Sequence, residues 1–256
     1  MRILILGGTI EASQLARLLA DDSRFEATMS LAGRTVSPKQ QVLPTRIGGF
    51  GGITGLETWL RDNGIAAVVD ATHPYAAQIS AHAVAACNGI SIPLGSIIRA
   101  PWAREDGRDN WIEVETTGAA AHALGDAPAR VFLSIGRQEL AAFAAAPQHH
   151  YIARTIDPPD VTLPPDIRFV YDRGPFDIAT EQAFLAREKI DMIVSKNSGG
   201  AATYPKIVAS RRLQLPVVMI SRPHKPHGVA LDVPEAAMHW LETQLAHGAS
   251  SSRRGV

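Results

Sequence analysis

Apolar residues occur along this chain in short unbroken runs, and each run is followed by a helical pattern. The first run, Ile3–Leu6, consists of four aliphatic residues and leads directly into Gly7-Gly8. From Ala12 to Leu19 the apolar residues then recur at the spacing of one helix face. An unbroken apolar run is typical of a strand that is buried on both faces of a parallel sheet. The opening therefore predicts a strand, a tight turn and a helix, the first unit of a nucleotide-binding α/β fold.

The same alternation continues to the end of the chain. It predicts further strands at 25–31, 66–70, 92–98, 111–114, 131–135, 151–156, 168–171, 191–195 and 216–220. It predicts helices that end near Asp22, Asn63, Asn88, Leu124, Ala146, Glu188, Leu213 and Ala246. Thr54 is a plausible N-cap for the second helix, and Pro74 suits the first turn of the third.

A polar stretch, Arg104–Asn110, is the best candidate for a domain boundary. The pattern predicts two Rossmann-like α/β domains with parallel sheets and a cleft between them, at roughly 1–98 and 99–247. The strand at 92–98 could pair in either sheet. Residues 248–256 have the small and polar composition of a disordered tail.

Composition narrows the classes of function. Hydrophobic residues make up 46% of the 256 residues, charged residues make up 20%, and the formal net charge is zero. A neutral chain with a full core argues against a nucleic-acid surface or a basic membrane-binding face. The single cysteine, Cys87, is predicted to be a packed core residue. The chain opens on a strand instead of a signal peptide and has no run long enough to span a membrane, so we expect a cytoplasmic protein.

The first turn is a candidate site for a dinucleotide. The glycine pair Gly7-Gly8 would let the backbone approach a pyrophosphate, and the helix N-terminus that follows would face the anion. The turn departs from the G-x-G-x-x-G fingerprint, because Thr9 stands at the second glycine and Ala12 at the third. An ordinary strand–turn–helix opening is the alternative.

The end of the second predicted strand indicates which dinucleotide would bind. An NAD site places an acidic residue there, whereas this strand runs into Gly33-Arg34-Thr35 with no acid. A guanidinium matches a 2′-phosphate, so we predict NADPH, with an exposed loop arginine as the alternative. The four glycines within 48–52 predict a loop that lets backbone come close to a ligand. His73 follows the strand at 66–70 and is predicted to lie at the mouth of the site.

In the second half, hydrogen-bond donors gather just after the predicted strand ends. These residues are Ser134, Gly136, Arg137, Lys196, Asn197, Ser198, Arg222 and Lys225. Donor-rich loops at helix starts bind anions, so they predict a ligand with several carboxylates or phosphates. His224 and His227 could be taken for a metal pair, but no third ligand is near in sequence, so we predict a basic loop and no metal site.

Several of these motifs, in this order along the chain, resemble the precorrin-6A reductase family of cobalamin biosynthesis. They are Gly7-Gly8-Thr9-x-Glu11-Ala12, Ser30-Leu31-Ala32-Gly33-Arg34-Thr35, Arg46-x-Gly48-Gly49-Phe50-Gly51-Gly52, Asp70-Ala71-Thr72-His73-Pro74, Ile135-Gly136-Arg137-Gln138-Glu139, Gly174-Pro175-Phe176 and Lys196-Asn197-Ser198-Gly199-Gly200-x-x-Thr203-Tyr204-x-Lys206. The resemblance covers the chain apart from its tail. One position departs from it, since relatives often have Phe where this chain has Tyr75, and a catalytic phenol is not expected there.

The resemblance implies an NADPH-dependent reduction of one ring double bond in precorrin-6A, which gives precorrin-6B. The substrate carries acetate and propionate groups around its macrocycle, which suits the anion loops. Relatives in the anaerobic pathway act on the cobalt-bound substrate, and these motifs do not separate the two. The resemblance also allows hand-over of the tetrapyrrole between this chain and other enzymes of the pathway.

The predicted site residues fall into two groups. Cofactor-binding residues are Gly7, Gly8, Thr9, Glu11, Ser30, Gly33, Arg34, Thr35, Gly49, Phe50, Gly51, Thr72 and His73. Substrate-binding residues are Tyr75, Ser134, Gly136, Arg137, Gln138, Lys196, Asn197, Ser198, Gly199, Gly200, Thr203, Tyr204 and Arg222. His73 is also the candidate catalytic acid, with a positioning role as the alternative. Two other functions stay open: an NADPH reductase of a different polycarboxylate, and a non-catalytic NADP-sensing module.

Overall fold

A computed structural model describes residues 1–33 and 40–252 of the chain. The chain divides into two compact units, of which the first is Met1–Arg99 together with the chain from Pro223 onward. The second is Ala100–Arg222. Within the described residues each unit is built on a six-stranded parallel sheet, which confirms the predicted α/β fold with two Rossmann-like sheets.

Helices and strands are numbered here along the chain. The first stretch contains β1 (Arg2–Leu6), α1 (Ile10–Ala20), β2 (Glu26–Leu31), β3 (Thr45–Ile47), α2 (Gly52–Asp62), β4 (Ala67–Asp70), α3 (Ala77–Gly89) and β5 (Leu94–Ile97). The middle contains β6 (Trp111–Val114), α4 (Thr117–His122), β7 (Arg130–Ser134), a 3₁₀ helix (Arg137–Ala145), β8 (His150–Thr155), β9 (Ile167–Tyr171), α5 (Ile178–Arg187), β10 (Met192–Lys196), α6 (Pro205–Arg212) and β11 (Val217–Ile220). The chain ends with β12 (Val229–Leu231) and α7 (Pro234–Ser252).

The first sheet has the strand order β12-β5-β4-β1-β2-β3. Both of its faces are covered, which explains the unbroken apolar run of β1. Ile3 and Ile5 pack in a cluster with Leu15 of α1 and Leu241 of α7. Leu4 and Leu6 point to the opposite face and pack with residues of α2 and α3. Alternate strand residues thus supply two cores, as a doubly wound sheet requires.

The second sheet has the order β6-β11-β10-β7-β8-β9. Phe132 of β7, Ile152 of β8 and Ile193 of β10 pack on one face with Phe184 of α5 and Ile207 of α6. The strand predicted at 92–98 is β5 and pairs with β4 in the first sheet, from Val68↔Leu94 to Asp70↔Ser96. The strand whose pairing the sequence left open therefore belongs to the first unit.

The end of the chain differs from the sequence-based division at 99–247. From Pro223 onward it belongs to the first unit, where β12 pairs with β5 and α7 fills the core beside α1. A close approach makes this possible, because a side chain at Gly228 would collide with the Leu94 carbonyl. A three-residue strand has no recognisable alternation, so the sequence pattern did not show it. α7 also continues to Ser252, past the point where the tail was expected to begin.

Three further local details differ from the sequence-based predictions. Residues 45–47, for which no strand was predicted, form the edge strand β3 beside β2. α2 begins at Gly52 with Gly51 as its N-cap, at a φ of 80° that favours glycine, and Thr54 lies inside the helix. Pro74 and Tyr75 form a turn, and α3 begins only at Ala77.

Candidate functional site

In each sheet, predicted site residues of the described chain follow the carboxyl ends of strands, and several of them lie on either side of a topological switch point. In the first sheet β2 and β3 continue outward from β1, whereas β4 returns to its other side. In the second sheet β8 and β9 continue outward from β7, and β10 returns beside β7. Ligands of open parallel sheets bind at such points. The turns after β1 and β4, and those after β7 and β10, are therefore the candidate site.

The turn after β1 is fixed by close packing and by one threonine. A side chain at Gly7 would collide with Met29, and Gly8 has a φ of 108° with open space where a Cβ would be. The Thr9 hydroxyl accepts a hydrogen bond from Ala12 N–H and donates one to the Ala71 carbonyl, at 2.6 Å. Thr9 therefore caps α1 and ties the turn after β1 to the turn after β4. This open glycine backbone at a capped helix N-terminus fits a dinucleotide pyrophosphate.

Glu11 and Ser30, two further predicted cofactor residues, are also held by protein partners. Glu11, in the first turn of α1, forms an ion pair with Arg99 at 3.0 Å. Ser30 is buried at the end of β2, and its hydroxyl accepts a hydrogen bond from Arg46 at 2.8 Å. Gly33 follows with a φ of 75°. Arg34 and Thr35, on which the NADPH prediction depends, lie outside the described residues.

Arg46 is a residue of this site to which the sequence analysis gave no role. From β3 its guanidinium donates to the Gly48 and Gly49 carbonyls at 3.0 Å and 2.8 Å, and it lies 3.8 Å from the Phe50 ring centroid. Burial lowers the pKa of the guanidinium. Arg46 thus shapes the glycine loop and holds Ser30 at once. Its place at the head of that loop, beside an aromatic residue, was the sequence signal.

The turn after β4 is held by a buried carboxylate. Asp70, which is 1% exposed, accepts hydrogen bonds from Thr72 N–H, from the Thr72 hydroxyl and from the Ser80 hydroxyl. Lys225 donates to the Thr72 carbonyl and hydroxyl at 3.3 Å and 3.0 Å and lies 3.5 Å from Asp70. Lys225 was grouped with the anion loops of the second half. It belongs instead to the first unit, because the chain returns there after β11.

His73 and Tyr75 are half-buried in this turn. The Tyr75 backbone N–H donates to His73 Nδ1 at 3.3 Å, and the two rings lie 5.6 Å apart. Because Nδ1 accepts a hydrogen bond, the proton of the neutral ring is on Nε2. In this form His73 can donate a hydrogen bond through Nε2.

In the second unit an ion pair joins the two predicted anion loops. Glu139, in the first turn of the 3₁₀ helix, accepts a hydrogen bond from Gly136 N–H and forms an ion pair with Lys196 at the end of β10. Arg137 donates to the Pro158 carbonyl at 2.9 Å. Ser134 ends β7, and Gln138 is exposed beside these residues. The structure thus brings Ser134, Gly136, Arg137 and Gln138 to one strand end and pairs that end with Lys196.

Residues 197–204 form the loop between β10 and α6, which we call the 197–204 loop. The Asn197 side chain bonds to both the N–H and the carbonyl of Trp102, at 2.8 Å and 3.0 Å. The Trp102 indole N–H donates to the Gly200 carbonyl at 2.9 Å. Arg222 donates to the Asn197 and Ala100 carbonyls. Asn197 and Arg222, predicted to bind substrate, therefore also brace the loop itself.

The rest of the 197–204 loop is equally constrained. Gly199 has a φ of 65°, and a side chain there would collide with the Ala100 carbonyl and the Arg222 guanidinium. Ser198 is half-buried, and its hydroxyl is 3.5 Å from the Lys196 carbonyl. The Tyr204 hydroxyl accepts from Arg211 at 3.1 Å, and the Thr203 carbonyl accepts from Lys206 at the same distance.

Other features lie away from the switch points. Cys87 is buried in α3, and burial raises the pKa of its thiol to about 12, which confirms it as a core residue. A groove of about 840 Å³, lined in part by Arg104, Arg108 and Arg211, lies at the amino ends of β6 and β11. Arg211 there is paired with Asp109. In the described part of the chain, no three His, Cys, Asp or Glu residues are grouped to share a metal ion.

Within residues 1–33 and 40–252, no helix has both the length and the hydropathy that a membrane crossing needs.

Comparisons with known proteins agree on one family. The family described as precorrin-6x reductase CbiJ/CobK matches residues 2–242. A precorrin-6A reductase of Rhodobacter capsulatus is 51% identical over 256 residues, covering 100% of this chain and 99% of the relative. One of Sinorhizobium is 48% identical over 251 residues, covering 94% of each.

A solved structure described as CobK precorrin-6A reductase agrees with the fold at a TM-score of 0.89 and 51% identity, covering 95% of this chain and 97% of that one. The similarity therefore extends through both units and includes the switch-point turns. The chain belongs to the precorrin-6x reductase family and is an oxidoreductase of cobalamin biosynthesis.

Proposed function

We propose that this chain reduces one ring double bond of precorrin-6A with NADPH and releases precorrin-6B. One observation carries the proposal. Each unit has its own switch point, and the residues at the switch point of the first unit differ in chemistry from those at the switch point of the second. The turns of the first unit are glycine-rich and end at a capped helix N-terminus, which suits a dinucleotide. Those of the second unit carry Arg137 and Lys196 beside backbone donors, which suits carboxylates.

NADPH would be held by the first unit. Gly7, Gly8 and Thr9 would contact the pyrophosphate, and Ser30 with Arg34 would contact the ribose that carries the 2′-phosphate. The loop that Arg46 shapes would cover this end of the cofactor with Gly49, Phe50 and Gly51. Bound there, NADPH supplies the two electrons as a hydride. The protein's part is to align the cofactor and to keep Thr72 and His73 at its side.

The second unit would recognise the acetate and propionate groups of the substrate. Arg137 follows β7 and Lys196 ends the neighbouring strand β10, so both carry charge to the same edge of the sheet, where Gly136 and the 197–204 loop present backbone groups. The ion pair with Glu139 holds the Lys196 side chain in place and neutralises part of its positive charge. A rigid and moderately cationic end suits a ligand whose carboxylates are spread around a large ring.

The metal-free substrate is favoured over its cobalt complex. The relatives named precorrin-6A reductase are 42–51% identical to this chain. Those named cobalt-precorrin-6A reductase, from Priestia megaterium, Salmonella typhimurium and Methanothermobacter thermautotrophicus, are 24–26% identical. Since the identity is higher throughout with the first group, we assign precorrin-6A as the preferred substrate.

The decisive experiment is to mix the purified protein with NADPH and precorrin-6A and to follow the loss of NADPH absorbance. The product should be heavier than the substrate by two hydrogens. Cobalt-precorrin-6A should be reduced more slowly under the same conditions. If NADPH is not oxidised with either tetrapyrrole while it still binds, the non-catalytic NADP-sensing function becomes the better assignment.

Cofactor choice is tested by Arg34→Ala. Loss of one charge-assisted contact to the 2′-phosphate should weaken NADPH binding by roughly ten- to a hundredfold and leave NADH almost unaffected. Equal losses for both dinucleotides would remove Arg34 from the 2′-phosphate site. Binding is read by the fluorescence of the reduced cofactor, independently of turnover.

A further inference from the structure

Three charged side chains are buried in the second unit close to the 197–204 loop. Arg154 of β8 and Glu181 of α5 form an ion pair with side chains that are 9% and 1% exposed. Lys206 of α6 is 5% exposed as a residue and interacts electrostatically with both. Arg154 donates to Glu181 at 2.7 Å. Its guanidinium also lies within 4.2–5.0 Å of the centroids of three aromatic rings, those of Phe132, Phe176 and Phe184.

This cluster is poorly explained as a device for stability alone. Glu181 Oε2 and Arg154 Nε are buried and have no hydrogen-bond partner among the residues that the structure describes. Buried charges lose their hydration at a high cost, and proteins in which apolar residues of similar volume replace such charges are often as stable or more stable. The core around the cluster is made of Phe132, Phe184 and Ile207, so apolar side chains would suit the place.

The cluster is in contact with the 197–204 loop through Lys206. Lys206 Nζ donates to the Thr203 carbonyl at 3.1 Å, near the end of the 197–204 loop. The same ammonium lies 4.9 Å from the centroid of Trp102, which bonds to Asn197 and Gly200 in the first half of the loop. One buried cation thus contacts the loop directly at one end and through an indole at the other.

Another of the motifs shared with the family, Gly174-Pro175-Phe176, contacts the same cluster. The Phe176 N–H donates to the Ala202 carbonyl at 3.3 Å, and its ring covers the Arg154 guanidinium at 4.2 Å. The 197–204 loop is therefore supported from both sides by groups that rest on Arg154, Glu181 and Lys206. None of the three belongs to the predicted substrate-binding set.

We propose that the buried Arg154–Glu181–Lys206 cluster fixes the conformation of the 197–204 loop for substrate carboxylates, with Lys206 as a positioning residue for precorrin-6A. This inference rests on the proposed function, since it takes that loop to be the carboxylate-binding one. Lys206 acts through Thr203 and Trp102 and does not itself touch the substrate. Its contribution is to remove alternative loop conformations before the substrate binds.

The test compares Lys206→Met with wild type in two measurements. Loss of the bond to the Thr203 carbonyl should raise the KM for precorrin-6A by about tenfold and leave the KM for NADPH within about twofold. Hydrogen exchange, read by mass spectrometry without substrate, should speed up in peptides covering 197–204 and stay unchanged in those covering 71–76. Arg212→Met is the matched control, because it removes an exposed cation from the same helix.

A purely structural role for Lys206 would give a different result. If Lys206→Met lowers the melting temperature but leaves the KM for precorrin-6A and the exchange of 197–204 as in wild type, the inference is overturned. If the variant does not fold, Glu181→Gln decides the matter by the same two measurements, because it removes the carboxylate charge and keeps the shape. An unchanged KM and unchanged exchange in Glu181→Gln would overturn the inference equally.

Lys196→Ala separates this failure from failure of the proposed function. If Lys196→Ala raises the KM for precorrin-6A while Lys206→Met does not, the substrate loops stand and only the positioning role is lost. If neither changes this KM in an enzyme that turns over precorrin-6A, both the substrate site and the positioning role are lost.

Discussion

His73 lies in the turn after β4, next to the switch point of the first sheet. The hydrogen bond that its ring accepts helps to decide between a positioning role and a proton-donating role. Its Nδ1 accepts from the Tyr75 N–H, so the neutral ring presents a donor on Nε2. A ring held in this way by backbone is suited to positioning a ribose, a nicotinamide amide or a substrate carboxylate. We therefore favour positioning over proton donation, and an electrophilic conjugated imine can take its proton from water.

His73→Asn tests this choice at the residue itself. As a positioning residue, His73 should give a variant that keeps most of kcat, with a KM for NADPH raised by roughly five- to tenfold for one lost hydrogen bond. As a general acid, its loss should cut kcat by ~10²-fold or more, and wild-type kcat should fall as pH rises through the titration of the ring. Steady-state kinetics between pH 6 and 9 separate the two roles.

The control for His73→Asn is Tyr75→Phe, which keeps the neighbouring ring and the backbone donor. It should behave as wild type in all these measurements. Unchanged kcat and KM in His73→Asn as well would remove His73 from the site.

Gly199 tests the close packing of the 197–204 loop. Its φ of 65° disfavours any side chain, and a Cβ would in addition collide with the Ala100 carbonyl. Gly107 has a similar φ of 73°, but nothing lies within 4 Å of the place where its Cβ would be. Gly107→Ala therefore measures the cost of the backbone conformation alone, about 1 kcal/mol.

Gly199→Ala should cost more than this control, by roughly 1–3 kcal/mol of additional strain, and should also raise the KM for precorrin-6A. Urea denaturation of the two variants gives the difference in unfolding free energy. Equal costs for the two substitutions would show that the loop can move away from the Ala100 carbonyl.

At the scale of elements, the segment between β11 and β12 returns to the first unit and brings Lys225 to the turn after β4. Lys225 binds the Thr72 carbonyl and hydroxyl there and lies beside Asp70. Lys225→Met should release this turn and leave the Asp70 charge less compensated. We expect NADPH affinity to fall by about tenfold, because a turn that is no longer held must be ordered when the cofactor binds.

The measurement for Lys225→Met is NADPH binding by fluorescence, with the KM for precorrin-6A determined alongside. His224→Ala is the control, since His224 is exposed in the same segment. A rise in the KM for precorrin-6A at constant NADPH affinity would return Lys225 to the anion loops of the second half.

Sequence pattern was sufficient for elements with a long apolar run. The strands β1, β4, β7, β10 and β11 were predicted within two residues at either end, because burial on both faces leaves a continuous aliphatic signature. The edge strands β3 and β12 were missed, since each has three residues and an exposed face. The return of α7 to the first sheet depends on long-range packing, which periodicity does not encode.

The candidate site was predictable in a similar way. Residues such as Gly8, His73, Gly136 and Lys196 were correctly placed at strand ends, because the strand itself was recognisable, and their role in binding stays a prediction. Partners distant in the chain were not found: Arg99 for Glu11, Trp102 for Asn197, Lys225 for Asp70. Each of these pairs is separated by 88 or more positions, so only the folded chain brings them together.

At the scale of the whole molecule, the net charge is zero, but charged side chains are grouped locally. One of these side chains, the buried Lys206, should make the free energy of unfolding depend on pH. Burial lowers the pKa of Lys206 to about 7. The negative charge of Glu181 opposes this shift, and the positive charge of Arg154 adds to it. In the unfolded chain this lysine titrates near 10.4. Between these values the unfolded state binds more protons than the folded state, so stability rises with pH.

The sign of the effect is therefore the opposite of that for a surface lysine in an ion pair. The penalty is fully present below about pH 7, where the buried ammonium is charged, and it is relieved as pH rises toward 10.4. Wild type should gain about 2 kcal/mol of unfolding free energy from this residue between pH 7 and 9, at up to ~1.4 kcal/mol per pH unit.

Lys206→Met cannot titrate and should lack this gain. Urea denaturation of both proteins at pH 6, 7, 8 and 9 gives the difference in unfolding free energy, in which other titrating groups largely cancel. The unfolding free energy of the variant minus that of wild type should be greatest at pH 6 and should decrease toward pH 9. A difference that does not change with pH would mean that Lys206 keeps its proton in the fold, held by Glu181 more strongly than burial opposes it.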